Sequence, residues 1–304
     1  MHAQPGIFEN LQEHSDILLL NASSAAADTR KGALQRLQAA IDNAHAQHVA
    51  ADLTITVGFG PTFVTGMAPG QTPNALHPMP HFHGDEFNPA ETQTDVVIQI
   101  CSNVKYANYA CADSLLKALA PAFSLAAHHQ GFGFPGSRGA LGFIDGTGNP
   151  GAEEKPHVAL IGAEDPAFQG GSYMTFRKIV EDVSRWDALS LSDQEDAIGR
   201  RKRDSEEFNA PGTSHQKKSN VVRDGEEVQI LRRSIPFWAN GERGLLFVCF
   251  QRDLAQYETI KGNMVSEDDG GHDRLEDTSH PVAGGYYFMP PIPAEGGFLG
   301  DFLF

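Results

Sequence analysis

Cysteine and basic charge are both scarce in this chain of 304 residues. Its three cysteines are an odd number and show no C-x-x-C spacing, so a disulfide scaffold is not indicated. Cys101 and Cys249 lie within apolar segments and are expected to be buried thiols. Only 23 lysines and arginines stand against 39 acidic residues, which gives a net charge of −16. A surface with that charge repels polyanions, so no nucleic-acid partner is expected.

Long apolar runs are also missing. No segment approaches the roughly 18 apolar residues of a membrane-spanning helix. The N-terminal segment lacks the charged-then-apolar pattern of a signal peptide. The sequence therefore predicts no membrane contact and a cytoplasmic location. A content of 40% hydrophobic and 20% charged residues is typical of globular proteins and excludes disordered, collagen-like and coiled-coil chains.

The length of the chain fits two domains, or one large domain. A seam is predicted at residues 149–155, where the sequence reads NPGAEEK. We therefore expect an N-terminal half over residues 1–150 and a C-terminal half over residues 151–304. Helical and alternating apolar spacings predict a helix over 31–48 and strands over 17–20, 53–59 and 96–101 in the first half, and strands over 172–180, 229–237, 244–252 and 286–289 in the second.

Each half reads β-α-β-β-α-β, which is the ferredoxin-like order. The predicted fold class is α+β, with two tandem ferredoxin-like halves whose antiparallel sheets carry helices on one face. Two helix starts are marked in the second half. The segment Ser192-Asp193-Gln194-Glu195 has the form of a capping box, and Asp253 is expected to cap the helix that carries Leu254, Tyr257 and Ile260.

A glycine-rich segment, GFIDGTGNP over residues 142–150, is the first candidate site. Its glycines permit tight turns and a close approach of the backbone to a bulky ligand. Asp145 stands between them with Phe143 and Ile144 as apolar neighbours, which is expected to desolvate its carboxyl, raise its pKa and make it a usable general base. The alternative is an ordinary Asp-Gly turn at the surface.

Two further candidates lie in the second half. In the segment ILRRS at 230–234, strand parity puts Arg232 and Ser234 on one face, and a charge within an apolar strand needs a partner or a function. A structural salt bridge is the alternative. His215 follows a polar loop. It is a candidate ligand only if a carboxylate orients its ring.

A histidine-rich loop, from His77 to Glu86, offers a different chemistry. Three imidazoles and two carboxylates within ten residues could bind a divalent metal ion. His81-x-His83 on a proline-broken loop matches no standard zinc spacing, however, so a solvated loop is the other interpretation. Trp186, Trp238 and the tyrosines could relay oxidising equivalents, although packing is the simpler role for each.

Taken together, these segments resemble the dye-decolorizing (DyP-type) haem peroxidases, and most closely their short bacterial class B members. The resemblance runs over most of the chain and keeps the family's order of motifs. Its elements are GFIDGTGNP at 142–150, GGSYMTFRKI at 170–179, LSDQEDAIGRRK at 191–202, GTSH at 212–215, ILRRSIPF at 230–237 and DRLEDTSHPVAGGYYFMPP at 273–291.

The resemblance implies a tandem ferredoxin-like fold of the dimeric α+β barrel type and one haem b per chain. By position, His215 is similar to the axial ligand of the haem iron, and Asp273, or less closely Asp277, to the acid that holds it. Asp145 and Arg232 resemble the family's distal residues, and Ser234 stands where members place Ser or Asn. Gly146, Thr147 and Asn149 are expected to contact the haem.

The chain departs from the family pattern in three places. Members usually carry Glu where Gly148 stands, so a carboxylate beside the haem edge is missing. The residues 216–218 after the histidine and the histidine-rich loop at 77–83 are also untypical. None of these departures removes a residue to which the resemblance assigns chemistry.

The function that the resemblance implies is reduction of hydrogen peroxide coupled to oxidation of aromatic reductants, dyes included. A carboxylate as the proton carrier implies highest activity at acidic pH. The alternatives are a haem carrier or iron-releasing, deferrochelatase-like protein, and a non-haem metal-binding module that uses the loop from His77 to Glu86.

The resemblance further implies a homo-oligomer. The tail after Pro291 ends in apolar residues, among them Phe298, Phe302 and Phe304. They are expected to pack on the subunit or a neighbour, with docking into an encapsulating protein shell as the alternative.

Overall fold

A computed structural model describes residues 2–9, 12–133 and 136–304 of the chain. The N-terminal half has the expected order of elements. Its four strands are antiparallel and lie in the order β4-β1-β3-β2, as in ferredoxin-like folds. The elements are β1 (His14–Ala22), α1 (Ala27–Gln47), β2 (Thr54–Phe59), α2 (Pro61–Met67), α3 (Pro89–Thr92), β3 (Val96–Ser102), α4 (Lys105–Leu119) and β4 (Phe123–Phe132).

The C-terminal half repeats this pattern around a longer insertion. Its strands lie in the order β11-β5-β10-β8, and β9 also pairs with β10. The elements are α5 (Lys155–Ala159), β5 (Ser172–Glu181), α6 (Val183–Asp187), α7 (Leu191–Ile198), α8 (His215–Ser219), β6 (Val221–Arg223), β7 (Glu226–Val228), β8 (Leu231–Arg232), β9 (Ile235–Ala239), β10 (Glu242–Gln251), α9 (Leu254–Val265) and β11 (Ser279–Met289).

The two halves share one continuous sheet. Strand β11 pairs with β2 through Phe288 and Phe59, so nine strands form a single antiparallel layer. Within the described residues this sheet does not close on itself. The α+β fold with ferredoxin-like halves is thus confirmed, and the sheets predicted for each half prove to be parts of one.

Both faces of the central strands are covered. In β1, Leu18 and Leu20 belong to the hydrophobic cluster that includes Leu34 of α1 and Leu115 of α4. Ile17 and Leu19 point the other way, into a second cluster with Phe176 and Val248. The prediction of helices on one face was therefore incomplete, because residues of the N-terminal turn and of β8 and β9 cover the opposite face. Among the described residues, no helix is both long and apolar enough to cross a bilayer.

Two local predictions need correction. The strand expected over 229–237 is divided into β8 and β9, because Arg233 and Ser234 leave the ladder between them. The helix start expected at Ser192 lies at Ser190, whose hydroxyl accepts the backbone N–H of Asp193. The prediction for Asp253 is confirmed, since it forms a capping box with Gln256.

The C-terminal tail packs on its own chain. Leu303 is 2% exposed, and the ring of Phe302 meets the rings of Phe59, Phe168 and Phe288 at centroid distances of 5.3–6.0 Å. Phe304 remains 42% exposed. The apolar tail is therefore accounted for by packing on the subunit.

Candidate active site

A cavity between the 142–150 loop and residues of the C-terminal half collects most of the predicted site residues. It has a wider part of about 430 Å³ that opens beside the 144–149 loop and an inner part of about 130 Å³ between β5, β10 and α9. Both volumes describe one continuous cleft, because the two parts share Asp145, His215, Ser219, Ile230, Arg232 and Ile260 as lining residues.

His215 is the first residue of α8 and reaches the cavity from one side. Its Nδ1 lies 2.7 Å from Oδ2 of Asp273, which is fully buried. The other carboxylate oxygen of Asp273 accepts the backbone N–H of Leu275 at 2.9 Å, so the acid is fixed by its own turn. Burial lowers the pKa of His215, but the carboxylate of Asp273 outweighs it and the pKa is raised. Asp277, the weaker candidate, accepts from His272 instead.

Asp145 lies at the end of a short hairpin and lines both parts of the cavity. Its backbone N–H donates to the carbonyl of Ser137 at 2.8 Å, and one carboxylate oxygen accepts the N–H of Gly146 at 2.6 Å. Gly142 and Gly146 have φ values of 83° and 82°, the left-handed conformation that glycine adopts without strain. The glycines therefore turn the chain so that Asp145 is presented between them.

Arg232 lies on β8 and faces the cavity with Ser234, as strand parity predicts. Asn149 holds its backbone on both sides, because the side-chain amide accepts the N–H of Arg232 at 2.8 Å and donates to its carbonyl at 3.0 Å. Ser234 accepts the N–H of Val248 at 3.3 Å. Arg233 points away, into the core, and donates to Gln12.

Arg232 differs in its pairing from the other cations that line the cavity. Arg177 is paired with Asp85, Lys261 with Glu276 at 2.6 Å and Arg200 with Glu207 at 2.6 Å. Among the described residues Arg232 has no carboxylate partner, and its Nε is buried without a hydrogen bond. The alternative of a structural salt bridge at Arg232 is therefore wrong, and its charge is available to a ligand.

The other residues predicted to contact the cofactor are not all in the cavity. Thr147, Gly148 and Asn149 line the wider part of the cavity, whereas Gly146 is exposed beside it. A Cβ atom at Gly148 would lie 3.1 Å from Nη2 of Arg232, so a side chain at this position would meet the guanidinium. Asp273 stands behind His215 and does not line the cavity.

Sequence reasoning missed the charged residues of β5. Arg177, Ile179 and Glu181 all line the inner part of the cavity. They are two residues apart along a strand, so the period of two in the RKIVE segment was the signal that could have found them. Arg177 also donates to the hydroxyl of Tyr257 at 2.8 Å, a lining residue that the sequence analysis placed on a helix but not in the site.

Glu181 should make the stability of the haem-free protein depend on pH. Burial raises its pKa from the ordinary 4.5 to about 7, although the hydroxyl of Ser279 donates to it at 2.6 Å. Between these values the folded chain keeps a proton that the unfolded chain has lost. The retained proton stabilises the folded chain, and its contribution to the free energy of unfolding is complete below pH 4.5. That contribution decreases by about 3 kcal/mol as pH rises through the folded pKa.

Glu181→Gln should remove that dependence, so chemical unfolding at acidic and neutral pH measures it directly. Glu226→Gln, at the exposed first residue of β7, is the matched control. Equal pH dependence in wild type and Glu181→Gln would contradict this account.

The histidine-rich loop does not assemble a metal site. His77 pairs with Glu258 at 3.4 Å, Asp85 with buried Arg177, and Glu86 with His280 at 2.9 Å, while His81 and His83 are exposed. No group of three His, Cys, Asp or Glu suited to a metal ion occurs in the part of the chain that the structure describes. The metal-binding alternative is therefore unsupported, and the loop is fastened to β5 through the ion pair of Asp85 with Arg177.

The two tryptophans are placed differently. Trp186 is buried and packs edge-on against Phe143 of the 142–150 loop, with ring centroids 6.0 Å apart. Trp238 is exposed on β9 beneath Arg243. A relay role for either tryptophan stays a prediction.

Comparison with known proteins gives one consistent picture. Residues 4–133 match the family model "Dyp-type peroxidase, N-terminal" and residues 136–294 match "Dyp-type peroxidase, C-terminal". The chain is 34% identical to the dye-decolorizing peroxidase of Mycolicibacterium paratuberculosis over 244 residues, which cover 75% of this chain and 69% of that protein. It is 28% identical over 298 residues to the deferrochelatase of Shigella flexneri serotype 5b, with 83% and 69% covered.

Solved structures agree with the sequences. A variant of DypB from Rhodococcus jostii RHA1 in complex with heme superposes with a TM-score of 0.88 at 30% identity, and the match covers 93% of this chain and 95% of that one. A dye-decolorizing peroxidase from Bacteroides thetaiotaomicron superposes with a TM-score of 0.86 at 27% identity, covering 95% and 96%.

Proposed function

The chain belongs to the dye-decolorizing (DyP-type) peroxidase family and is a haem-dependent peroxidase, and we propose that the cavity around His215, Asp145 and Arg232 is where it binds haem b and reduces hydrogen peroxide. Aromatic compounds, dyes included, supply the electrons. The observation that carries this assignment is the meeting of three residues in one cavity, where His215 is held from behind by Asp273 and Asp145 and Arg232 line the same space.

The residues of the cavity fit a haem. Its volume lies within the roughly 300–1,000 Å³ of cofactor sites. Ile179, Leu245, Phe247 and Met264 give the inner part apolar walls. His215 and Arg232 both line this space. Within the described residues, Nε2 of His215 has no protein partner, Arg232 has no carboxylate partner, and the buried Nε of Arg232 makes no hydrogen bond, so both side chains are available to a ligand.

Haem supplies the iron at which peroxide binds and is reduced. His215 would hold that iron through Nε2, because Asp273 accepts the Nδ1 proton, fixes the ring and increases its basicity. Asp145 would take a proton from one peroxide oxygen and return it to the leaving oxygen. Arg232 would stabilise the charge that develops on that oxygen and cannot act as the base, since guanidinium stays protonated. Thr147 and Asn149 would form the cavity wall beside them.

The test is an absorption spectrum of the purified protein after addition of haem. Wild type should show a sharp Soret band with high-spin ferric features, and His215→Ala should lose or shift it because the axial nitrogen is gone. His83→Ala, which removes an exposed histidine of the 77–86 loop, should retain the wild-type spectrum. An unchanged spectrum in His215→Ala would show that another residue binds the iron.

A second candidate function is release of iron from haem, which the similarity to a deferrochelatase favours. In that case the haem-loaded protein should yield metal-free porphyrin, visible by its fluorescence, and Asp145→Ala and Arg232→Ala should still bind haem. Peroxide-driven dye oxidation that is lost in both variants supports the peroxidase.

The proposal also covers the division of the chain, its oligomeric state and its location. We assign the chain an N-terminal half over 1–150 that carries the Asp145 loop and a C-terminal half over 151–304 that carries His215. A homo-oligomer and a cytoplasmic location are expected. Docking into an encapsulating shell through the C-terminal tail is the alternative to packing on the subunit. Deletion of residues 297–304, followed by measurement of oligomer size and of shell co-purification, tests it.

A further inference from the structure

Arg138 joins the hairpin of Asp145 to a separate segment of the chain. Its Nη1 donates to the carbonyl of Gly142 at 2.7 Å and to the carbonyl of Lys202 at 2.7 Å, and its Nη2 donates to the carbonyl of Arg203 at 2.8 Å. Hydrogen bonds from a charged donor are stronger than neutral ones, and the planar guanidinium fixes their directions. One side chain therefore ties the loop before Asp145 to the segment after α7.

The pairing of Arg138 is unlike that of its basic neighbours. Arg200 is paired with Glu207, Arg201 with Glu195 and Arg203 with Asp204. Within the described residues Arg138 has no carboxylate partner and bonds only to backbone carbonyls. A buried or half-buried guanidinium used in this way constrains main-chain geometry rather than balancing a charge.

Side-chain packing also holds the hairpin of Asp145 against the 202–203 segment. The ammonium of Lys202 lies 5.4 Å from the ring centroid of Phe143 and donates to Gln194 at 2.7 Å. Phe143 packs edge-on against buried Trp186. A Cβ atom at Gly142 would approach Cε of Lys202 to 2.9 Å, so the two segments are in close contact at this point.

The orientation of the Asp145 side chain depends on the hairpin that carries it. The hairpin is closed by the bridge between Arg138 and Ile144, by the N–H of Gly139 to the carbonyl of Phe143 at 2.9 Å, and by the N–H of Asp145 to Ser137 at 2.8 Å. The only hydrogen bond of the Asp145 carboxylate within the described residues comes from its neighbour Gly146. Its orientation therefore follows that of the backbone.

We propose that Arg138 is a positioning residue for Asp145, which holds the hairpin against the 202–203 segment so that the carboxylate is aimed into the cavity before any ligand binds. The proposal rests on the proposed role of Asp145. Arg138 itself lines neither part of the cavity, so its effect on peroxide is exerted through Asp145. Misplacement of a reacting group by about 1 Å can cost roughly 100-fold in rate.

The experiment compares Arg138→Met and Arg138→Lys with Arg36→Met in the haem-loaded protein. Arg36 is the matched control because it also donates to two carbonyls, those of Ala118 and Ala120, on a surface remote from the cavity. We expect Arg138→Met to slow the peroxide step by about 10- to 100-fold with haem affinity unchanged. Arg138→Lys, which keeps the charge but not the fork, should lie between, and Arg36→Met should match wild type.

A double-mutant cycle separates positioning from general stability. In the Asp145→Asn background, Arg138→Met should have little further effect, because there is no carboxylate left to position. An equal slowing in both backgrounds, or no slowing in either, would overturn the proposal.

Hydrogen exchange at the amides of Asp145 and Gly146 in the haem-free protein supplies a readout independent of activity. Protection should be reduced in Arg138→Met and retained in Arg36→Met, and unchanged protection in Arg138→Met would also overturn the proposal. If Asp145→Asn alone leaves the peroxide step unaltered, the proposed role of Asp145 is wrong, while the exchange data still decide whether Arg138 holds the hairpin.

Discussion

Asp145→Asn should slow the reaction of the haem-loaded protein with hydrogen peroxide by about 100- to 10,000-fold, because a positioned proton carrier contributes rate factors of that size. Asparagine keeps the shape of the side chain and an oxygen that can accept the N–H of Gly146, now made at 2.6 Å. The loop should therefore stay in place while the proton site is lost. Rapid-mixing absorbance at the Soret band, before any reductant is added, isolates this step.

The control for Asp145 is Asp224→Asn, since Asp224 also precedes a glycine but lies in the exposed turn between β6 and β7, outside the cavity. It should react at the wild-type rate. Retention of most of the rate in Asp145→Asn would exclude Asp145 as the proton carrier. Wild-type activity that rises steadily from about pH 5 to about pH 8 would also contradict a carboxylate in this role.

Arg232→Met should lower the rate of the same step by about 100- to 1,000-fold, the cost of removing one preorganised group that stabilises developing charge. Arg232 has no carboxylate partner among the described residues, whereas Arg177, Arg200 and Lys261 are paired. Its positive charge is therefore not neutralised by a neighbouring acid and can stabilise negative charge on the ligand. Methionine keeps an unbranched side chain and removes the charge. The clamp of Asn149 on the backbone does not involve the side chain and should persist.

Arg243→Met is the matched control for Arg232, because Arg243 lies on the exposed face over Trp238. Arg232→Lys should recover part of the rate, since an ammonium supplies charge without the planar fork. Haem binding is measured in parallel by Soret titration, so that loss of the cofactor is not mistaken for a slower reaction. A rate in Arg232→Met equal to that of wild type would exclude electrostatic stabilisation by this residue.

Local patterns were sufficient for the arrangement of the polar strand residues. Strand parity put Arg232 and Ser234 on one face, and both line the cavity while Arg233 points into the core. The same reasoning applied to β5 would have found Arg177 and Glu181. The prediction of the start of α7 failed, because Ser190 and Ser192 can both cap a helix and the structure uses Ser190, whose hydroxyl accepts the N–H of Asp193.

What the sequence determined by itself is the order of elements, the ferredoxin-like repeat and the family, since spacing of apolar residues and motif order are properties of the chain alone. What the tertiary structure decided is which side chains meet. Asp273 lies 58 residues from His215 and Asn149 lies 83 from Arg232, and contacts over such separations depend on how the sheet and its loops pack. The hydrogen bonds of Arg138 and the lack of a carboxylate partner for Arg232 among the described residues are of this kind, because only the folded chain decides whether an acid lies beside a given cation.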